Sequence, residues 1–188
     1  MTTIHDPARV GMDGEALARI APALDRYVAG GHLPGYHLVV ARRGQVVDDA
    51  IHGRRDLAGD LPVTRDTLWR IYSMTKPITS LAVMMLYERG ALQLSDPVAQ
   101  YLPAFAESRV YTGGSDLKWT SVPSPEPIRI WHLLTHTAGL TYGFHRMHPV
   151  DAMLRAKGYE WGTPPGVDLA GAVDHWPTPP RLFTPGPA

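Results

Sequence analysis

The sequence predicts an α+β fold in which an antiparallel β-hairpin with a flanking helix is joined to further helical segments through one long apolar helix. Three observations predict this class. Residues 13–29 repeat apolar side chains at helical spacing, two β-rich runs follow around a short turn, and residues 69–89 form a long, largely apolar segment. A chain of 188 residues is long enough to bury a real core.

The first segments of the chain predict a helix followed by a hairpin. Apolar residues recur at helical spacing from Asp13 to Ala29, and Gly30-Gly31 supplies a stop signal. Two β-rich runs, Tyr36 to Ala41 and Gln45 to Ile51, flank Arg42-Arg43-Gly44. We expect a surface helix and then two antiparallel strands.

The segment from Trp69 to Arg89 predicts the central helix. It is polar at its start and apolar on all sides from Ile78 to Tyr87. Because a helix that is apolar all round is normally buried, we expect a buried helix with Ser73 at its amino-terminal mouth. Gly90 is a suitable stop after the last turn.

The remaining predicted elements are short and bounded by proline or glycine. They are a helix starting at Ser95-Asp96-Pro97, a hairpin or surface excursion in Arg109 to Pro127, a short apolar helix in Ile128 to His136, and helices in Val150 to Ala156 and Gly166 to Trp176. The last dozen residues contain five prolines and are expected to form a linker.

Composition excludes several classes of function. The chain has 18 basic and 18 acidic residues, so no broad basic field attracts nucleic acid or an anionic membrane. It has no cysteine, which excludes disulfides, cysteine catalysis and thiolate metal sites. The amino terminus has no apolar signal region and no segment is long enough to span a membrane, so we expect a cytoplasmic protein.

Ser73 and Lys76 are the residues whose spacing indicates chemistry. Three residues apart, they share one face of a helix. A serine hydroxyl becomes a good nucleophile when a neighbouring base takes its proton. A lysine acts as that base when burial or nearby positive charge lowers its pKa, and both influences exist at the mouth of a buried helix.

The S-x-x-K pattern is not specific, because about one match is expected by chance in a chain of this length. The chain contains a second match, Ser115 to Lys118, in a glycine-rich turn with no apolar helix behind it. Structural context therefore favours Ser73 over Ser115. The plain alternative is that Ser73 only caps the helix and Lys76 is a solvated first-turn residue.

Two sequence blocks carry a resemblance to a known family. LWRIYSMTKPITSLAVMMLYERGALQLSDPVAQYLPAF is followed by IRIWHLLTHTAGLTYGF, in which the block Leu133 to Leu140 is quite specific. From about Asp13 to the end, the chain resembles the serine β-lactamase-like hydrolases. It is most similar to the carboxylesterases related to class C β-lactamases, the family VIII esterases.

The resemblance implies a β-lactamase/penicillin-binding-protein-like fold of which this chain holds the amino-terminal part. Residues 1–75 are expected to form the first part of the α/β domain, and residues 76–188 the central helix and part of the helical subdomain. The other strands of a five-stranded antiparallel sheet would then lie outside the chain. By resemblance, Ser73 is the acylated nucleophile and Lys76 its proton-transfer partner.

The same resemblance implies a third catalytic group, a tyrosine in a Y-x-N or Y-x-S motif. No tyrosine of this chain stands in such a motif. We therefore expect that tyrosine, with the missing strands, on the carboxyl-terminal remainder of the enzyme, including the case of a second chain. Residues 1–188 alone would then have little or no esterase activity.

The implied function is hydrolysis of short-chain carboxylic esters through an acyl-Ser73 intermediate, without a metal or organic cofactor. The expected substrate pocket comprises Tyr72, His136, Tyr142 and Phe144. Alternatives within the fold are a β-lactamase, a D-amino-acid peptidase and an acyltransferase; outside catalysis, the chain would be a penicillin-binding or inert module.

Nine histidines raise the question of a metal site. His132 and His136 are four residues apart, and His145 and His148 are three apart. Neither pair has the glutamate of an H-E-x-x-H site, so no zinc site is predicted. His136 is expected to shape the rim of the pocket.

Overall fold

The structure is a computed structural model that describes residues 3–176 and 179–186. It divides into two compact units, Met1–Ile71 and Tyr72–Ala188. The division into 1–75 and 76–188 made from the sequence stays a prediction about domain organisation. The helices are α1 (Gly14–Leu17), α2 (Ile20–Ala29), α3 (Thr75–Glu88), α4 (Ile130–Leu134), α5 (Pro149–Ala156) and α6 (Leu169–His175). The strands are β1 (Gly35–Arg42), β2 (Gln45–Asp56), β3 (Leu61–Pro62), β4 (Arg109–Gly114) and β5 (Trp119–Pro123).

The first unit contains the predicted hairpin, which the structure confirms. Strands β1 and β2 pair antiparallel from Gly35 opposite Gly53 to Arg42 opposite Gln45. The two turn residues, Arg43 and Gly44, both have positive φ, as a tight two-residue hairpin turn requires. Strand β3 adds a short third strand beside β2. A small core cluster of Val10, Leu17 and Val47 lies in this unit.

The single helix predicted for residues 13–29 is wrong, because the structure has two helices, α1 and α2, with a break at Ala18 and Arg19. Pro22 explains the break. It has no N–H to donate to the carbonyl of Ala18, and its ring crowds that carbonyl, so one continuous helix is disfavoured there. Pro22 is accepted as the third residue of α2, where no such bond is needed.

In the second unit, α3 follows a 3₁₀ turn, Tyr72–Met74, and ends at Glu88. Gly90 has φ of 70°, which confirms the predicted stop. Strands β4 and β5 form the predicted hairpin, with Arg109 opposite Pro123. Two small core clusters lie in this unit: Val98, Ile128 and Ala138, and Leu154, Tyr159 and Ala172.

The prediction that α3 is buried is wrong for this chain. Ile78 is 60% exposed and Leu81 is 63% exposed, and α3 has no buried residue. A helix becomes buried only when other elements cover its surface. Here the two core clusters of the second unit form among other segments of the chain, and no α3 residue belongs to them. The apolar surface of α3 is therefore open among the described residues.

The structure also corrects the prediction of a helix that starts at Ser95-Asp96-Pro97. Residues Ser95-Asp96-Pro97 do not start an α-helix; Pro97 precedes a 3₁₀ turn, Val98–Gln100. The Asp96 carboxylate instead accepts hydrogen bonds from the Gln93 N–H (2.7 Å) and the Tyr101 hydroxyl (2.6 Å). The hydrogen bond from Tyr101 lowers the pKa of Asp96.

The proline-rich end is not a free linker over residues 179–186. Arg181 is buried and pairs with Val110 of β4, because its backbone N–H donates to Arg109 and its carbonyl accepts from Tyr111, both at 2.9 Å. Leu182 donates to the Gly139 carbonyl at 2.9 Å. Prolines therefore flank a short extended segment that pairs with the edge of β4. Residues 177, 178, 187 and 188 of the predicted linker lie outside the described residues.

No helix in the described part of the chain is long and apolar enough to cross a bilayer.

Gly53 and Gly44 form a matched pair for testing the hairpin. Both have positive φ, but a Cβ on Gly53 would lie 2.4 Å from the Pro34 carbonyl oxygen, whereas a Cβ on Gly44 meets nothing within 4 Å. We expect Gly44→Ala to cost about 1 kcal/mol from backbone strain alone. Gly53→Ala should cost at least about 1 kcal/mol more because of the clash. Urea unfolding measures the free energy of unfolding of both variants. Equal losses would contradict the close approach of Gly53 to Pro34.

His132 should make stability depend on pH. Burial, followed by the positive charges of Arg129 and Arg181, lowers the pKa of His132, whose Nδ1 accepts the Arg129 N–H at 2.8 Å. A histidine with a folded pKa below its unfolded value of about 6.5 contributes stability above that value, and the contribution is lost as pH falls. We expect urea unfolding to show this loss below about pH 6.5. His132→Asn keeps an acceptor without titrating, so a loss of equal size in this variant would contradict the assignment.

Candidate active site

Ser73 and Lys76 lie together at the start of α3. Ser73 is in the 3₁₀ turn and Lys76 is the second residue of the helix. The Lys76 Nζ donates to the Ser73 Oγ at 3.1 Å. Tyr72, which immediately precedes the serine, has φ of 44°, a left-handed conformation that costs a non-glycine residue about 1–3 kcal/mol. Such strain is concentrated at functional sites, and here it adjoins the serine.

Pro77 helps to define where the helix begins. As the third residue of α3 it needs no intrahelical N–H bond, so its missing donor costs little. Although a proline disfavours helical geometry in the residue before it, Lys76 is helical here. Lys76 therefore lies in the first turn of α3, and Ser73 lies in the 3₁₀ turn that precedes it.

The competing serine and lysine, Ser115 and Lys118, lie in the turn between β4 and β5, as the sequence predicts. The Ser115 Oγ accepts hydrogen bonds from the backbone N–H groups of Leu117 (3.3 Å) and Lys118 (3.1 Å). These bonds are those of a turn-forming serine. The Ser115 hydroxyl therefore has a structural use in this turn.

A cavity of about 720 Å³ adjoins Ser73 and Lys76. Three residues that we predicted for the substrate pocket, Tyr72, Tyr142 and Phe144, line it. His136 does not; it lines a second cavity of about 340 Å³ that also includes Tyr142. The structure thus brings together Ser73, Lys76 and three of the four predicted pocket residues, while their roles stay predictions.

Stacked aromatic rings line part of the cavity. Tyr142 stacks on Phe144 with ring centroids 5.0 Å apart, and Phe144 stacks on Trp161 at 5.3 Å with the ring planes only 6° apart. The Lys76 Nζ lies 5.8 Å from the centroid of the Tyr142 ring, within the range of a cation–π contact. This stacked run of Tyr142, Phe144 and Trp161 is called the aromatic wall below.

Five lining residues were not predicted from the sequence: Tyr159, Glu160, Trp161, Gly162 and Trp176. A signal for three of them was present, because Tyr159-Glu160-Trp161 places two large aromatic residues in a segment bounded by glycines. Aromatic side chains in loops are frequent at binding sites. Nothing in the local pattern indicated that this segment faces Tyr142 and Phe144.

One buried carboxylate fixes the loop that carries Tyr142 and Phe144. Asp151, on α5, is only 1% exposed. It accepts hydrogen bonds from the Thr141 hydroxyl (2.8 Å) and from the N–H groups of Met147 and His148 (3.0 Å each). Because these donors come from both ends of residues 141–148, Asp151 clamps the loop onto α5.

The same loop is held against the segment that carries Trp161. Arg155 donates to the Gly143 carbonyl at 2.6 Å, and Arg146 forms an ion pair with Glu160. Gly143 allows the closest approach, since a Cβ there would lie 2.5 Å from the Tyr159 carbonyl oxygen. The aromatic wall therefore depends on a glycine and on two arginines.

The histidines do not gather into an evident metal centre. Within residues 3–176 and 179–186, no group of three or more histidine and carboxylate side chains is arranged to hold an ion. His132 uses Nδ1 to accept a backbone N–H at the start of α4. His148 likewise accepts the Val150 N–H at 3.2 Å at the start of α5.

The fold and the site together define a class: an α+β protein with a serine and a lysine one turn apart at the start of an apolar helix, beside an aromatic cavity. The chain belongs to the beta-lactamase family, whose model, described as Beta-lactamase, matches residues 20–186. This confirms the resemblance and the fold class predicted from the sequence. The family is one of serine hydrolases, with esterase and acyltransferase relatives.

Three similar proteins illustrate this range. Esterase EstB of Burkholderia gladioli is 37% identical over 138 residues, which cover 73% of this chain and 32% of the esterase. Acyltransferase calJ of Penicillium decumbens is 35% identical over 133 residues, covering 69% and 30%. The solved structure of EstCE1, a hydrolase with promiscuous acyltransferase activity, matches with a TM-score of 0.74 at 27% identity, covering 90% of this chain and 41% of EstCE1. The chain thus spans about a third of the length of the first two relatives.

Gly143 and Gly162 provide a matched test of how the cavity is built. Both line or adjoin the cavity, but a Cβ on Gly162 would meet nothing within 4 Å. We expect Gly143→Ala to lower stability by about 1–3 kcal/mol, because it forces the Tyr159 segment away. It should also weaken the near-UV circular dichroism of the Phe144 and Trp161 pair. Gly162→Ala should change neither signal, and an equal response of the two variants would refute the close packing at Gly143.

Proposed function

We propose that this chain carries the acylation centre of a serine hydrolase that cleaves short-chain carboxylic esters. The observation that carries the proposal is the 3.1 Å contact between the Lys76 Nζ and the Ser73 Oγ, in a cavity that can admit a substrate. The esterase relatives support the same reaction class. A cytoplasmic location is part of the proposal.

In the proposed acylation step, the Ser73 Oγ attacks the ester carbonyl carbon while the Lys76 Nζ takes the hydroxyl proton. The carbonyl oxygen becomes an oxyanion, toward which the Ser73 N–H is a suitable donor. Collapse of this intermediate breaks the bond to the alcohol oxygen, and the alcohol leaves with a proton. Acyl-Ser73 remains, and water then attacks it to release the acid and restore the serine.

A third group is needed to pass the proton to the leaving alcohol and later to activate water. The tyrosines near Ser73 do not stand in a Y-x-N or Y-x-S motif; Tyr142 is followed by Gly143-Phe144. We propose that the tyrosine comes from a carboxyl-terminal remainder of the enzyme, either continuous with this chain or as a second chain. Such a segment would pack on the uncovered apolar surface of α3. Among the described residues α3 is the longest helix, and none of its residues is buried.

Acyl transfer to an alcohol is the second candidate, and two observations favour it. Relatives of this chain include an acyltransferase and a hydrolase with promiscuous acyltransferase activity. A cavity of about 720 Å³ also leaves room for an acceptor beside the acyl group. Both reactions share the acyl-Ser73 intermediate and differ in which hydroxyl attacks it.

The β-lactamase and peptidase alternatives are separated from the esterase by comparing hydrolysis of nitrocefin, a D-alanyl peptide and a p-nitrophenyl ester.

The test of the proposed function is labelling with a fluorophosphonate ester probe, followed by intact-mass spectrometry and peptide mapping. We expect a single adduct on Ser73 when the carboxyl-terminal remainder is present. Ser73→Ala should abolish it and Lys76→Ala should slow it by about 10²–10⁴-fold, the usual contribution of a proton-transfer group. Ser115→Ala is the matched control and should label at the wild-type rate.

Residues 1–188 alone should hydrolyse p-nitrophenyl acetate at close to the buffer rate, because we propose that the third catalytic group lies on the carboxyl-terminal remainder. Adding the remainder should restore turnover. Robust hydrolysis by rigorously pure 1–188 that is lost on Ser73→Ala would contradict this division of catalytic groups. An adduct on a residue other than Ser73 would overturn the proposed function itself.

A further inference from the structure

We infer that the cavity beside Ser73 recognises esters carrying a flat aromatic group, and that this group stacks on Trp161. The inference rests on the proposed function, since it names the substrate class of the same site. It starts from the aromatic wall, in which Tyr142, Phe144 and Trp161 stack one after another. A second aromatic pair, Tyr159 and Trp176, also lines the cavity with ring centroids 5.4 Å apart.

The exposure of Trp161 separates a binding role from a packing role. Trp161 is 81% exposed, although it contacts Phe144 face to face. A tryptophan that stabilises the fold is largely buried, so this ring contributes little to the core. One face is used by Phe144 and most of the remaining surface is open to a ligand. Tryptophan is also among the residue types that are enriched at the binding hot spots of protein interfaces.

The size of the cavity supports a ring-sized group. About 150 Å³ is enough to hold a benzene molecule in a protein cavity. The cavity beside Ser73 measures about 720 Å³, which exceeds what a short acyl chain occupies. A short acyl group near Ser73 therefore leaves space along the aromatic wall for a larger group on the alcohol side of the ester.

The charges that line the cavity favour an uncharged ring. Among the described lining residues, Lys76 and Glu160 are the charged ones. Lys76 donates a hydrogen bond to Ser73, and Glu160 forms an ion pair with Arg146. A charged ligand group would have to compete with one of these pairs, whereas a neutral aromatic face stacks without disturbing either.

The test is the equilibrium binding of 2-naphthylmethanol, which ligand-observed NMR measures. This is the alcohol that an aryl-methyl ester would release. Decahydro-2-naphthylmethanol has the same carbon skeleton without aromatic faces and serves as the matched ligand. An aromatic contact is worth about 0.5–1.5 kcal/mol beyond area burial, which corresponds to about 2- to 12-fold in affinity. We expect the aromatic alcohol to bind tighter by that factor.

Trp161→Leu should remove this preference, and Trp119→Leu should retain it. Trp119 lies on β5 and does not line the cavity beside Ser73. Because Trp161 is so exposed, its replacement should not unfold the protein, and far-UV circular dichroism verifies this. Phe144→Leu, which removes the ring that supports Trp161, should reduce the preference as a second variant.

Equal binding of the two alcohols, or a preference that survives in Trp161→Leu, would overturn the inference. Absence of binding of either alcohol would overturn it as well. A protein that binds 2-naphthylmethanol but forms no fluorophosphonate adduct would retain the aromatic site and lose the proposed function, so the two failures are distinguishable.

Discussion

The buried carboxylate of Asp151 is the interaction on which the cavity depends. Removing a charged group from water is costly unless donors replace the lost hydration, and three donors do so here. Since two of them are backbone N–H groups, the carboxylate fixes the path of the loop as well as its attachment to α5. Phe144 is held by that loop, and Trp161 stacks on Phe144. A polar contact of a residue that does not line the cavity thus helps to set the shape of the aromatic wall beside Ser73.

The parts of the fold and site that could be predicted from sequence are those set by near neighbours along the chain. Ser73 and Lys76 meet because helical geometry brings residues three apart together. The hairpin of β1 and β2 follows from two β-rich runs around a turn that tolerates positive φ. The aromatic wall could not be predicted this way. It needs the tight approach at Gly143, which is a property of two segments and not of either one.

The errors in the fold predictions have two different physical origins. The break between α1 and α2 had a local signal in Pro22, and the periodicity of the apolar residues concealed it. The exposure of α3 had no local signal at all. Apolar residues on every side of a helix indicate which environment it favours, whereas burial also requires a surface to cover it. The described part of the chain does not supply enough of that surface.

The open surface of α3 bears on the chemistry proposed for Ser73. An acyl-serine intermediate partitions between water and any acceptor alcohol that reaches the same site. A site open to water favours hydrolysis, while exclusion of water lets a bound alcohol compete and also strengthens the electrostatic contacts that assist each step. In the proposed function, the access of water to acyl-Ser73 would therefore decide between hydrolysis and transfer of the acyl group to an alcohol.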